Sequence, residues 1–584
     1  MIEDLINSIN NYKNPDKEII KCKDLFNLPI SYINDKYLIQ ENIITDLELL
    51  PEKNQNSLYN DLFNPDSKDS AKIIPMWSKY YTDNISFLKD SQSLVKKFKH
   101  ITSPQVNDIN EIHDILSDIN QETGFYEKYK YIDVNFFKFL NNYPLFLQGL
   151  TLYNLASPIL SLIIPIIMLI LPFFILKFQK ISISMSTYIG VLIKVLKNHV
   201  VGRAFTEFSN VGWDRKFFLL ITIGFYFVNI YQNILSCRSF YKNIYKVRSY
   251  LLSINNFLHY SINSIINLNT YCKSTYQPFI TMNNTIKDTL IVFSNDINKI
   301  QLQTINIKQI TKIGNLLQSF YQLFQNKIYK ESIIYSLDLH GYIENITNLQ
   351  NMIKLKEINY CKFNNKKTTK FNNSYFGTLV KKNPVKNSYT LDKNIIITGP
   401  NAAGKTTLLK TTLFNIILSQ QMGIGFYNKA TINPYQYIHC YINIPDTSGR
   451  DSLFQAEARR CKEILDIITN VERKSRHFCC FDELYSGTNP TEAIASAYSF
   501  LKFISKSKNV DFILTTHYIS LCKLLETDKN IINKQMLIDN NNNYTYKLVD
   551  NISNIRGGIK VLEELDYNQE IINSAKNIID KIVI

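Results

Sequence analysis

Residues 399–406 have the types and the spacing that bind the phosphates of a nucleotide. Gly399 and Gly404 enclose four residues, and Lys405-Thr406 follows, which completes the pattern G-x-x-x-x-G-K-[ST]. Glycines let backbone N–H groups surround a polyphosphate, and the next helix directs the positive end of its dipole at the same anion. Lys405 can then reach the β- and γ-phosphates, and the Thr406 hydroxyl can ligate Mg2+. The sequence therefore predicts a nucleotide-binding loop.

Two carboxylates follow a second apolar run, at Asp482 and Glu483. An acid at a strand end beside a phosphate loop can hold Mg2+ through water, and a second acid can orient or deprotonate the attacking water. We assign Asp482 the first role and Glu483 the second. Alone, such a pair would be an ordinary solvent-facing strand end, so the assignment depends on the phosphate loop.

A further stretch, residues 511–516 with apolar Phe512–Leu514 at its centre, is predicted to be a buried strand that leads to His517. A neutral imidazole there can hydrogen-bond the γ-phosphate and report its hydrolysis. A lone histidine is usually structural. The functional interpretation depends on the order of phosphate loop, Ser452 at a helix start, Asp-Glu strand and His strand.

The elements that must position these residues can be predicted from local pattern. Ile395–Ile397 are β-branched and read as a buried strand, and Leu408-Leu409 open an apolar helix. Residues 428–450 are predicted to be irregular, and a helix is expected to follow Asp451 and run through Leu465. This alternation of strands and helices is typical of an α/β domain.

The motifs of the C-terminal part together resemble the MutS family of mismatch-repair ATPases. The matching stretches are Thr398–Thr407 (the phosphate loop), Ser452-Leu453-Phe454 (the Ser-Thr-Phe signature), Asp482–Ala493 (the Asp-Glu strand and the turn after it), Thr515–Tyr518 (the histidine switch) and Gly557–Val561 continuing to Ala575 (the final helical element).

This resemblance implies an α/β ABC-type P-loop ATPase domain over residues 345–584, with ATP and Mg2+ as cofactors. It implies dimerisation through the final helical element, with Ser452 reaching the γ-phosphate bound by the partner subunit. The residues implied to bind ATP are Gly399, Pro400, Asn401, Ala402, Ala403, Gly404, Lys405, Thr406, Thr407 and Ser452, with Thr406 and Asp482 on the metal and Glu483 and His517 in catalysis. Residues 385–387 are candidates for adenine contact by position alone.

Departures from the family lie in the N-terminal half. Thr45–Leu49 through Leu58-Tyr59 resembles the start of the family's lever domain, and only some 40 residues precede it. We therefore expect no mismatch-reading or connector domain. Phe205-Thr206-Glu207 has the form of the mismatch-probing Phe-x-Glu, but we interpret it as chance because apolar segments flank it. DNA binding is implied by family and charge only.

Those apolar segments are long enough to cross a bilayer. Residues 139–176 contain no charged residue, and residues 217–237 form a second uncharged run, whereas about 20 residues suffice for one crossing. A buried helix of a soluble protein is the alternative. Pro158, Pro165 and Pro172 predict a kinked first segment.

The topology of these segments stays open. The loop between them, 177–216, carries net charge +5, and short basic loops favour the cytoplasmic side. Either this loop departs from the rule, or residues 139–176 form a hairpin or re-entrant pair. We favour both termini, and the ATPase domain, on the cytoplasmic side.

Composition narrows the class of protein. The net charge of +15 favours contact with nucleic acid or an anionic membrane face. Nine scattered cysteines without a C-x-x-C pair indicate reduced thiols. No metal-ligand spacing is found among the eight histidines.

The sequence as a whole predicts five segments and one leading function. The segments are an N-terminal stretch (1–35), a first helical lever-like region (36–138), a transmembrane region (139–238), a long-helix lever region (239–344) and the ATPase domain (345–584). The leading function is a dimeric MutS-type ATPase, associated with a membrane, that moves lever helices in DNA binding and repair. The alternatives are an ABC transporter-like half and a membrane-anchored, ATP-dependent scaffold without a DNA role; the first lacks a Leu-Ser-Gly-Gly-Gln signature, and a scaffold would not need the Glu483 base.

Overall fold

A computed structural model of the chain describes most of its length. The described residues are 25–51, 57–101, 109–121, 124–197, 202, 212–300, 312–365, 368–443, 452–471, 474–539, 543–553, 562 and 565–579. Two sequence predictions, Phe205-Thr206-Glu207 and Gly557–Val561, lie outside these ranges. The chain forms two compact units, the first of Met1–Ile101, Ile265–Asn284 and Tyr335–Ile584, and the second of Thr102–Ser264 and Thr285–Ile334. The five segments predicted from the sequence stay a prediction.

The N-terminal part of the first unit combines short helices with one strand pair. Its elements are β1 (Lys36–Leu38), α1 (Glu41–Asp46), α2 (Leu58–Phe63), α3 (Lys68–Trp77), β2 (Tyr80–Thr82) and α4 (Ile85–Lys97), with β1 antiparallel to β2. The sequence predicts a helical pattern from Tyr37 to about Lys99 that is broken at Pro51, Pro65 and Pro75. The break at Pro75 is wrong, because α3 continues through it. A proline removes one helical hydrogen bond, and the buried Ile73, Ile74 and Trp77 hold this last turn in place.

The middle of the chain is helical. Its helices are α5 (Ile109–Gln121), α6 (Phe125–Lys128), α7 (Pro144–Phe178), α8 (Met185–Leu196), α9 (Trp213–Tyr271), α10 (Gln277–Asn298), α11 (Ile313–Gln325) and α12 (Lys327–Lys354). The hairpin alternative for residues 139–176 is wrong, because α7 is one continuous helix. Its prolines each remove a single bond, and the remaining ladder is kept.

Helices α7 and α9 pair in antiparallel fashion within the second unit. The Tyr226 hydroxyl donates to the Ser161 carbonyl at 2.8 Å, Asn233 Nδ2 lies 3.3 Å from Ser161 Oγ, and Cys237 Sγ lies 3.7 Å from the Leu155 carbonyl oxygen. The polar side chains of these apolar helices therefore face each other. Large apolar side chains of both helices are exposed on the outside, among them Ile166, Phe174, Phe217 and Phe225.

The C-terminal part is mixed α/β. Its elements are β3 (Asn359–Phe363), β4 (Thr369–Ser374), β5 (Asn387–Leu391), β6 (Asn394–Thr398), α13 (Lys405–Met422), β7 (Ile424–Gly425), β8 (Lys429–Ile432), β9 (Tyr437–Tyr441), α14 (Leu453–Asn470), β10 (His477–Asp482), α15 (Pro490–Ile504), β11 (Val510–Thr516), α16 (Ile519–Leu525), β12 (Ile531–Ile538), β13 (Tyr544–Asp550) and α17 (Gln569–Ile579). One sheet has the order β13-β12-β6-β11-β10-β9 and the other β5-β4-β8-β3-β7.

The prediction of an irregular stretch at residues 428–450 is wrong for its first half, where β8 and β9 form. These strands are only four or five residues long, and β9 carries His439 and Cys440 instead of an apolar run. Pairing with β10 buries both side chains. A tertiary contact therefore decides this strand.

The first sheet sets up an edge where the candidate groups meet. Strands β12, β6, β11, β10 and β9 are parallel neighbours, so their carboxyl ends share one edge. Thr398 is in register with Thr516, and Thr515 is in register with Asp482. Ligands of open α/β sheets bind at this carboxyl edge.

Candidate nucleotide-binding site

A strained glycine-rich loop connects the fully buried strand β6 to α13. Gly399 has φ +152°, Ala402 +61° and Gly404 +91°. A Cβ on Gly404 would lie 3.1 Å from Tyr546 Cδ1, and one on Gly399 would lie 3.3 Å from Met536 Cβ. Both positions therefore require glycine for backbone angle and for space. Helix α13 begins at Lys405, so its first N–H groups point at the loop.

Lys405 is buried within this loop. It is 5% exposed, and its Nζ donates to the carbonyl oxygens of Gly399 and Pro400 at 3.0 Å each. His517 Nε2 lies 3.2 Å from the same Nζ. Burial lowers the pKa of the Lys405 ammonium, and the carboxylates Glu483 and Asp482 oppose this effect.

Asp482 is bonded to threonines from two directions at the end of β10. Thr406 Oγ1 donates to Asp482 Oδ2 at 2.8 Å, and Thr515 Oγ1 donates to Asp482 Oδ1. Burial raises the pKa of the Asp482 carboxyl, whereas both hydroxyls lower it. A hydroxyl and a carboxylate at this separation fit a hard cation such as Mg2+. No cluster of three or more His, Cys, Asp or Glu side chains that could hold a metal occurs in the described ranges.

Glu483 follows β10 with an unusual backbone. Its φ is +54°, and its N–H donates to the Thr515 carbonyl at 3.0 Å. A left-handed non-glycine residue costs about 1–2 kcal/mol, so surrounding contacts must hold it there. Its Oε1 lies 2.8 Å from His517 Nε2. This hydrogen bond lowers the pKa of Glu483, which is therefore ionised at neutral pH.

His517 faces two groups of opposite charge through one nitrogen. Nε2 lies 2.8 Å from Glu483 Oε1 and 3.2 Å from Lys405 Nζ. A protonated Nε2 can donate only to Glu483, and an unprotonated Nε2 can accept only from Lys405. The two contacts therefore compete, and a ligand that engages Lys405 changes the balance.

Ser452 lies apart from these groups. It is exposed and caps α14: its Oγ accepts from Gln455 N at 3.3 Å, and Gln455 Oε1 accepts from Ser452 N at 2.9 Å. It does not line the cavity beside the phosphate loop. An exposed hydroxyl at a helix N-terminus can donate to an anion supplied from outside the subunit.

A cavity of about 590 Å³ opens beside the loop. Asn401, Ala402, Gly404 and Thr406 line one part of it, with Lys405 and Glu483. Thr407, Leu408 and Thr411 of α13 also line it. The rest of the lining comes from residues distant in sequence, namely Ser374, Tyr375, Phe376, Leu379, Lys382, Asn383, Pro384, Val385, Asn387, Met536 and Tyr546. Val385 and Asn387, candidates by position in the sequence, therefore lie at the same cavity as the phosphate loop.

Sequence reasoning missed several residues of this site. Thr515, which bonds Asp482, stands two positions before His517, and the shared edge of parallel strands could have indicated it. Tyr546 and Phe376 carry no local signal. Asn387 holds the wall together, because its Nδ2 donates to the Tyr546 carbonyl at 3.0 Å and its Oδ1 accepts from Leu548 N at 2.9 Å.

Fold and site together define an α/β domain with a glycine-rich loop at the carboxyl edge of a parallel sheet. Residues 395–583 match the family model MutS domain V. The chain is 30% identical over 194 residues to DNA mismatch repair protein MutS of Prochlorococcus marinus (strain AS9601), and 32% identical over 188 residues to Endonuclease MutS2 of Finegoldia magna. Endonuclease MutS2 of Staphylococcus epidermidis is 28% identical over 189 residues.

Each of these matches covers 32% of this chain and only 21–24% of the relative. The chain thus spans about a fifth to a quarter of the length of the curated relatives it matches. Over its C-terminal third, the chain is therefore similar to the MutS family.

Proposed function

We propose that residues 345–584 form an ABC-type P-loop domain that binds ATP with Mg2+ and hydrolyses it. The observation that carries this proposal is the hydrogen bond of 2.8 Å from Thr406 to Asp482, with Thr406, Lys405 and Glu483 all lining the cavity. The match of residues 395–583 to MutS domain V and the similarity to a MutS relative over 194 residues support it.

The loop residues 399–407 would hold the phosphates through backbone N–H groups, with the ammonium of Lys405 on the terminal phosphates. Thr406 and Asp482 would hold Mg2+, which neutralises phosphate charge when bound. The ionised Glu483 would orient and deprotonate the attacking water. When a terminal phosphate engages Lys405, His517 would donate to Glu483. When the phosphate leaves, His517 would accept from Lys405 instead.

The base of the nucleotide would occupy the part of the cavity formed by Phe376, Leu379, Val385 and Tyr546. Their rings and aliphatic groups suit an apolar, planar heterocycle. Asn387 would act indirectly, by fixing the strand that carries Tyr546.

Glu483→Gln tests the enzymatic proposal. It keeps the size of the side chain but removes the base, so ATP binding should persist while turnover falls by about 10²- to 10⁴-fold. Glu526→Gln, an exposed carboxylate after α16, is the matched control and should hydrolyse ATP at the wild-type rate. Unaltered turnover in Glu483→Gln would remove Glu483 as the base.

We also propose that the active form is a dimer in which Ser452 reaches the partner's nucleotide. Ser452 is exposed at the start of α14, as a residue acting on another subunit must be. Ile571 and Ile578 of α17 are also about half exposed and give an apolar surface for dimerisation. Light scattering of Glu483→Gln with and without ATP measures this, and a monomer under both conditions would contradict it.

Hydrolysis would be transmitted to the lever-like helices through α13. This helix starts in the phosphate loop, and its last turn is bonded to the N-terminal region: Gln421 Nε2 donates to the Trp77 carbonyl at 2.5 Å and Gln420 Nε2 to the Thr82 carbonyl at 3.1 Å. A shift of the loop therefore has a bonded route to α3 and β2.

DNA binding and repair are proposed from the family and from charge. The relatives are named for mismatch repair and endonuclease activity, and the net charge of +15 favours a polyanion. ATPase assays with matched and mismatched duplexes, at two salt concentrations, test this. Neither binding nor stimulation by either duplex would remove the repair function.

Membrane association is proposed from α7 and α9. The segments Pro144–Ile163 and Lys216–Tyr271 are long and apolar enough to cross a membrane, and their most apolar windows are only 11% and 6% buried. Core helices of soluble proteins are mostly buried. The exposed apolar side chains of α9 from Phe217 to Leu235 extend over about 28 Å at 1.5 Å per residue, close to the ~30 Å of a bilayer core.

Cell fractionation followed by a carbonate wash tests this placement. Retention in the pellet is expected, and release into the soluble fraction would contradict it. Retention combined with ATP binding, but with neither ATP turnover nor a response to DNA, would favour the membrane-anchored scaffold over repair.

A further inference from the structure

A buried carboxylate outside the proposed catalytic groups joins the helix that follows Ser452 to the loop that carries Glu483. Glu457 lies in the second turn of α14 and is 2% exposed. Its Oε1 accepts from Ser486 N at 3.1 Å and from Ser486 Oγ at 2.9 Å, and its Oε2 accepts from Gly487 N at 3.1 Å. Hydrogen bonds to a charged acceptor are stronger than neutral ones, so this carboxylate anchors the loop firmly.

The carboxylate loop, residues 483–487, also packs directly on the first turn of α14. A Cβ on Gly487 would lie 2.7 Å from Leu453 Cγ and 2.8 Å from Phe454 N, so no larger residue fits there. The rings of Phe454 and Tyr485 are 5.7 Å apart. The start of α14 and the carboxylate loop therefore cannot move independently.

The backbone of this loop depends on such support. Glu483 has φ +54° and Tyr485 has φ +59°. Two left-handed non-glycine residues so close together persist only where the surroundings fix them. Glu457 supplies three of the bonds that do so, and it stands five positions after Ser452 on the same helix.

We infer that Glu457 is a positioning residue that couples the two nucleotide sites of a dimer. When Ser452 engages the partner's nucleotide, the first turns of α14 are fixed in position. Through its bonds to Ser486 and Gly487, Glu457 then also fixes the position of Glu483 in its own subunit. The inference rests on the proposed dimeric ATPase. It predicts that each subunit hydrolyses ATP efficiently only while it also contacts the nucleotide of its partner.

A double-mutant cycle in the full-length protein tests this coupling. Glu457→Gln keeps the shape but turns an amide N–H₂ toward a backbone N–H, so kcat should fall by about 10- to 100-fold while nucleotide affinity stays within about twofold. Ser452→Ala should also lower kcat. If both act through one path, the double variant should be no slower than the slower single variant. Glu463→Gln, an exposed position on the same helix, is the matched control and should keep wild-type kcat.

The outcomes separate the possibilities. A purely structural role would lower the unfolding temperature of Glu457→Gln without changing the kcat of the folded protein, and this result, or additive effects in the cycle, would overturn the inference. If Glu457→Gln does not fold, Ser486→Ala removes only the hydroxyl bond; a kcat loss of about 2- to 5-fold that disappears in the Ser452→Ala background is expected. A wild-type protein without ATP turnover would instead refute the proposed function itself.

Discussion

Replacing Lys405 with alanine should weaken ATP binding without unfolding the protein. The Lys405 ammonium donates to the carbonyl oxygens of Gly399 and Pro400 at 3.0 Å each and lies 3.2 Å from His517 Nε2. Two of its three donors engage backbone carbonyls, and the third lies near His517 Nε2, for which Glu483 competes. A phosphate oxygen that bonds this ammonium would therefore replace a neutral partner, so the gain on binding is an exchange of bonds.

The size of the effect follows from this exchange. A hydrogen bond between charged groups contributes about 1.5–3 kcal/mol and the neutral bond that it replaces about 0.5–1.5 kcal/mol, so the exchange gains about 1–1.5 kcal/mol. At about 1.4 kcal/mol per factor of ten, losing this gain raises the Kd for ATP by roughly 5- to 12-fold.

Isothermal titration calorimetry with ATP and Mg2+ measures this change, and circular dichroism checks that the variant is folded. Lys393→Ala is the matched control, because Lys393 is an exposed residue just before β6. Its Kd should equal that of the wild type. A less than threefold change for Lys405→Ala, or an equal change for the control, would refute the assignment of Lys405 to the phosphates.

Three further predictions follow from single contacts. Ser452→Asp should keep the cap of α14, because aspartate caps a helix as well as serine does. It should lower ATP turnover at least about tenfold, because it places a negative charge near the phosphates of the partner's nucleotide. Unchanged turnover would contradict the contact between Ser452 and that nucleotide. Gly423→Ala should cost about 1–3 kcal/mol in urea unfolding, since Gly423 has φ +71° and a Cβ there would lie 2.5 Å from Gln92 Cγ; equal stability would contradict this. Burial lowers the pKa of His439 to about 3 and that of His477 to about 4. These two histidines therefore gain protons only in the unfolded chain as the pH falls from about 6.5 towards 4. The free energy of unfolding should decrease by about 2 kcal/mol per histidine between pH 6.5 and 5. Thermal unfolding at both pH values measures it, and His439→Asn should remove about half of the loss.

Local sequence was sufficient for the start of α13 and for the positive φ angles of Gly399 and Gly404, because glycine adopts such angles readily. The assignment of this loop to phosphate stays a prediction. The strands β6, β10 and β11 could also be predicted from the sequence, because strands buried on both faces are rich in consecutive apolar side chains.

Predictions failed where a distant contact decided the structure. Strand β9 contains His439 and Cys440 and forms because it pairs with β10. Helix α3 continues through Pro75 because its last turn is buried. Neither pairing nor burial is visible in a local window, which explains both errors.

The sequence by itself determined the chemical groups of this protein: a glycine-rich loop with Lys405, carboxylates after one apolar run, a histidine after another, and two long apolar helices. Only the tertiary structure decided which groups meet. The parallel sheet brings Thr406, Asp482 and Thr515 within hydrogen-bonding distance although more than 100 residues separate the first from the last. The packing of α14 also brings Glu457 into hydrogen-bonding contact with the carboxylate loop. The physical reason is that periodicity and spacing report the neighbours of a residue along the chain, whereas strand order sets its neighbours in space.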